Sequence, residues 1–112
     1  MSNIIDISVI EGLKEIGDQE FVSELIEMFL QQSDEIMKEI KISCEKKDAD
    51  SLSKSSHKLK GSCLNLGAVD MSKICQDIEQ NTRENNLNDI DNKVNSLENI
   101  YQKTCNELKN FM

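Results

Sequence analysis

The stretch Ser56-His57-Lys58-Leu59-Lys60-Gly61-Ser62-Cys63-Leu64-Asn65-Leu66-Gly67-Ala68 decides how the rest of the chain is read. Together with Leu52, the residues Leu59, Cys63 and Leu66 recur at helical spacing, so the segment reads as an amphipathic helix. His57 is the only histidine of the chain and lies off that apolar stripe. At roughly 100° per residue, its neighbours on its own face are Lys60 and Gly61. That face presents an imidazole, then a cation, then a missing side chain. A glycine inside a helix costs about 1 kcal/mol relative to alanine. On a face turned from the core, the compensating gain is expected from another protein's backbone coming close to the imidazole. Gly67 ends the apolar period and reads as the residue just past the helix C-terminus.

Outward from this helix, the chain is punctuated into further helices. Residues 1–7 form a short lead. Ser8-Val9-Ile10-Glu11 has the spacing of a capping box, followed by a short helix to about Ile16 with Gly17 as its stop. Asp18 is the expected cap of a long second helix to about Glu45, with Phe21, Val22, Leu25, Met28, Phe29, Ile36, Ile40 and Cys44 as its apolar stripe. Phe21, Met28 and Phe29 are expected in the core. After the polar connection at residues 46–50, Asp48 or Asp50 caps the helix of His57, which runs to about Leu66. Met71, Ile74, Cys75 and Ile78 define a fourth helix from about Val69 to Arg83, with Glu79 at the edge of its stripe. Following an asparagine-rich turn, Ile90, Val94, Leu97, Tyr101, Thr104, Leu108 and Phe111 define the last helix. Its seven-residue rhythm is too brief for a long coiled coil and suits one wall of a bundle. The predicted fold is all-α: an antiparallel up-down-up-down four-helix bundle with a short additional N-terminal helix.

Composition supports this. The 112 residues are enough for a single domain, expected over residues 1–112, with one modest core. There is no proline and no tryptophan, against a sandwich or barrel whose turns usually need Gly and Pro. The net charge of −8 argues against a nucleic-acid footprint. No apolar run approaches the length of a membrane span and no signal-peptide pattern is found, so a cytoplasmic chain is expected. The four cysteines are widely spaced, and one histidine does not make a Cys/His zinc site. They read as small buried hydrophobes. No glycine-rich phosphate loop and no carboxylate cluster for magnesium is found, so neither a cofactor nor a metal is expected.

The histidine helix resembles the signature of histidine-containing phosphotransfer (HPt) domains. That pattern is a histidine, lysine three on, glycine four on, a small residue next and a glycine about ten on; His57, Lys60, Gly61, Ser62 and Gly67 match it. The resemblance implies a phosphorelay intermediate that accepts a phosphoryl group on His57 from a receiver-domain aspartyl phosphate and passes it to another receiver. It implies a phosphocarrier rather than an enzyme, the receiver of a hybrid kinase or response regulator supplying the metal and its own catalytic residues. Lys60 is then expected, exposed, to steady the phosphoryl oxygens, and Gly61, with Leu64 and Lys58, to meet the partner. The short leading helix is expected to contribute to that surface. Some members carry a glutamine 22 residues after the histidine; here Glu79 stands at that place. Its carboxylate either accepts a hydrogen bond from the imidazole or pairs with a lysine. The alternative reading is a helical docking adaptor that is not phosphorylated. The caps and the starting methionine point to a free-standing protein, expected to be a monomer, rather than a segment of a kinase.

Overall fold

The computed structural model describes residues 4–112, so Met1, the start of the predicted lead, lies outside the described residues. Five helices follow one another: α1 (Ile7–Ile16), α2 (Gln19–Glu45), α3 (Ala49–Asn65), α4 (Val69–Arg83) and α5 (Ile90–Lys109). Among the described residues there is no strand. α3 packs on α2 and α4, and α5 packs on α4 and α2, which closes a ring of four long helices. Consecutive walls are joined by residues 46–48, 66–68 and 84–89, too short to return the chain to the same end. The walls therefore alternate in direction. α1 packs on α2. No described helix is long and apolar enough to cross a membrane.

The core is the sum of the inward stripes. Val22, Ile26, Ile40, Leu52, Leu59, Cys63, Met71, Cys75, Ile78, Leu97 and Leu108 are almost wholly shielded from solvent. Phe29 joins them, whereas Phe21 is half-buried. Met28, expected in the core, is 53% exposed. It borders the α2 stripe, and the helix is rotated so that Ile26 and Phe29 point inward instead. One polar contact is sealed between walls: the hydroxyls of Ser33 on α2 and Tyr101 on α5 lie 2.9 Å apart. Cys44, Cys63 and Cys75 are buried, Cys105 is half-buried, and all four are free thiols. Burial, then the hydrogen bond to Asp91, pushes the Cys44 thiol up to about 11. The contact with Cys75, then burial, pushes Cys63 up as well. Such thiols stay protonated and behave as core side chains.

The helix ends are set by aspartates. Asp18 accepts from the backbone N–H of Phe21 at 2.9 Å, and Asp48, of the two candidates, accepts from that of Ser51 at 3.2 Å. At α1 the cap is Asp6, not Ser8. Asp6 Oδ1 accepts from both the backbone N–H of Ser8 at 3.1 Å and its hydroxyl at 2.6 Å. A full negative charge at the helix N-terminus outcompetes a hydroxyl for that place, and the helix begins two residues earlier than the Ser8–Glu11 spacing suggests.

Gly67 ties this first helix to the bundle. It has φ +73°, and its carbonyl accepts from the Asp6 backbone N–H at 2.8 Å. A Cβ built there would stand 2.8 Å from the Asp6 carbonyl oxygen and 3.0 Å from Val9 Cβ. Gly67→Ala is therefore expected to cost about 2 kcal/mol, from the left-handed backbone and the clash together. A lowered urea midpoint at unchanged m-value checks it.

Candidate functional site

The site is built on the middle of α3. With Leu52, Ser55, Ser56, Leu59 and Cys63 turned inward, the helix is obliged to present His57 on its outer side, and the imidazole side chain is 63% exposed. Leu64, two turns on, is 55% exposed. Among the described residues, a Cβ built on Gly61 would meet nothing within 4 Å, so no packing against them requires a glycine there.

Glu79 approaches from α4. At the edge of its stripe it is only 3% exposed, and it sits below the histidine. Its Oε2 lies 2.8 Å from His57 Nδ1, and its Oε1 accepts from Lys60 Nζ at 2.7 Å. The carboxylate thus meets both of the partners weighed for it, one on each oxygen. Arg83, one turn further along α4, donates from Nη2 to Oε2 at 2.7 Å. Lys60 is less exposed than expected, at 23%, because its ammonium is folded back over the buried carboxylate.

A buried carboxylate is costly unless it is paired and hydrogen-bonded. Here burial pushes the Glu79 carboxyl up, but the hydrogen bonds from Lys60 and His57 and the charges of Lys60 and Arg83 outweigh it and hold it below its ordinary value of 4.5. At neutral pH Glu79 is an acceptor only. The ring nitrogen facing it, Nδ1, must then carry the proton, and the lone pair is left on Nε2. A group whose carboxyl is held low in the fold stabilises it above the ordinary value and loses that contribution as the pH falls through the folded value. Glu79→Gln is accordingly expected to lower stability at pH 7 by about 1–3 kcal/mol, the scale of a buried charged hydrogen bond lost. The gap from wild type should narrow at pH 3, as read by urea unfolding at the two pH values.

The remaining predicted residues fall differently. Lys58 is drawn to α2, where its Nζ donates to Glu39 Oε2 at 3.2 Å, and it takes no part in the Glu79 cluster. Gly61 and Leu64 form open surface beside the imidazole. Between α2 and α3 lies a cleft of about 120 Å³ lined by Leu25, Met28, Phe29, Gln32, Ser62, Asn65 and Leu66. Exposed Met28 opens onto it. Arg83 was not singled out from the sequence; its signal was its place one helical turn after Glu79, a favourable acid-then-base spacing. Among the described residues no cluster of His, Cys, Asp and Glu has the makings of a metal site.

The sequence pattern of the Hpt domain matches residues 24–109. The crystal structure of histidine-containing phosphotransfer protein B from Pseudomonas aeruginosa PAO1 superposes with a TM-score of 0.91 at 23% identity, over 98% of this chain and 95% of that one. At that identity the likeness speaks for the fold. No curated protein matches the sequence.

Proposed function

The chain belongs to the Hpt domain family and is a phosphocarrier of two-component phosphorelays, and we propose that His57 is the residue that carries the phosphoryl group. The observation that supports this most directly is the 2.8 Å contact between His57 Nδ1 and the buried Glu79, which leaves Nε2 as the nucleophile on an exposed face. In the proposed step the Nε2 lone pair attacks the phosphorus of a receiver's aspartyl phosphate. The Nε2–P bond forms, the P–O bond breaks, and the aspartate carboxylate leaves with the bonding pair. No proton has to move: the ring keeps its Nδ1 proton, and the positive charge it acquires faces the Glu79 carboxylate. Lys60, one turn away, supplies the cation for the phosphoryl oxygens. Reversal against a second receiver passes the group on.

The receiver is proposed to bring the magnesium and its own catalytic groups, so that this chain contributes only a positioned nucleophile and a cation. Gly61 gives the receiver's loops room to reach the ring, and Leu64 and Met28 offer apolar contact beside it. One chain carries all of these residues and is proposed to work as a monomer, residues 1–112 acting as one domain. The cytoplasm, where receivers meet it and free thiols persist, is the proposed compartment.

The test is to mix the purified chain with phosphorylated receiver domains and follow acid-labile label onto it. Label on His57 is expected. Binding to a receiver with no label on the wild-type chain is instead the behaviour of a docking adaptor, and would overturn the reading.

A further inference from the structure

The carboxylate of Glu79 holds more cations than its charge needs. Lys60 occupies Oε1 while Arg83 and the imidazole share Oε2. If Lys60 is to reach a phosphoryl oxygen, its ammonium must leave or loosen from Oε1. A buried carboxylate stripped of its cation would then be free to turn, and the histidine would lose the partner that holds its proton on Nδ1. Arg83 does not face this choice. It contacts the same oxygen as the imidazole, comes from the same helix as Glu79, and is 64% exposed, so its guanidinium stays hydrated while it donates one hydrogen bond inward.

We propose that Arg83 is a positioning residue for phosphoryl transfer: it keeps Glu79 Oε2 charged and aimed at His57 Nδ1 while Lys60 turns to the phosphoryl group. The inference rests on the reading of His57 as the phosphoryl carrier. In the resting protein Lys60 and Arg83 share the anchoring of Glu79, so loss of either alone is cushioned. During transfer only Arg83 remains on the carboxylate, and its loss is felt. A merely structural Arg83 would act differently. As the last residue of α4 it also sits where a cation favours the helix dipole, and that contribution would touch stability alone.

The experiment compares wild type, Arg83→Gln and Arg83→Lys, each with ring nitrogens labelled with ¹⁵N. In the resting state all three are expected to keep the Nδ1-protonated tautomer, because Lys60 still holds Glu79. In the transfer assay Arg83→Gln is expected to accept label about fivefold more slowly, the scale of one partly exposed charged contact to a buried group. Arg83→Lys should recover most of that rate, since it keeps the positive charge together with an N–H donor, which glutamine does not. Combining Arg83→Gln with Lys60→Ala should release the ring, and the ¹⁵N spectrum should then show mixed tautomers that neither single variant shows. If Arg83→Gln transfers at the wild-type rate, or if lysine fails to restore a slowed variant that is still folded, the proposal is wrong. Should the wild type itself take no label on His57, the underlying reading falls first, and the two failures are told apart.

Discussion

Replacing His57 with glutamine leaves the bundle intact and abolishes phosphoryl acceptance. The imidazole is mostly exposed, and among the described residues its hydrogen-bond contact is with Glu79. A glutamine amide has an N–H to offer that carboxylate, and glutamine is a better helix former than histidine. The stability change should stay within about 0.5 kcal/mol, as for other surface positions. What glutamine lacks is a basic nitrogen with a free lone pair, so no acid-labile label should appear on it from any phosphorylated receiver. Circular dichroism and thermal unfolding alongside the labelling separate the two effects. Label at the wild-type level on this variant would move the nucleophile elsewhere.

The second large effect runs in opposite directions for the free chain and the complex. Gly61→Leu should make the isolated protein more stable and a poor phosphoryl acceptor. A Cβ at Gly61 meets nothing within 4 Å among the described residues, and leaving glycine for a good helix former gains about 0.5–1 kcal/mol. The same side chain would project beside the imidazole and hold the partner's loops away from it. A loss of about 1.4 kcal/mol or more in the transition state, about tenfold in rate, is the expected scale. A raised melting temperature with intact transfer would show that nothing approaches Gly61. Gly67 makes the contrast: its replacement strains the fold because Asp6 and Val9 already stand where a side chain would go.

These two glycines show what one sequence discloses. Both were visible as anomalies in a helical pattern. Gly67 was legible as a terminus because apolar spacing stops there, and the five helices were legible for the same reason: every wall has an inward apolar stripe and an aspartate, glycine or polar run at its ends. Where two local signals competed, the sequence was ambiguous. Ser8-x-x-Glu11 has the spacing of a cap, yet the carboxylate of Asp6 took the position. Met28 lies on the margin of its stripe, and a small rotation of α2 put it outside. The histidine, the lysine and the glycine of the site are within five residues of one another and could be read together. Their relation to Glu79 depends on how α3 and α4 sit in register, which no local spacing encodes. That register is why Glu79 is buried and Lys60 largely covered, and why Arg83 came to light only in the fold.

The sealed pair of Ser33 and Tyr101 gives the molecule an optical gauge of its own. The chain has one tyrosine and no tryptophan, so its phenolic signal comes from a single side chain at the α2–α5 seam, on a wall that does not carry the histidine. Burial pushes that phenol up to about 12, against the pull of the Ser33 hydrogen bond. Because the folded value lies above the ordinary value of 10, the stabilisation is intact below pH 10 and is lost as the pH rises through the folded value. Phenolate absorbance in base should therefore rise steeply with the opening of the bundle, while chemistry at His57 leaves it silent.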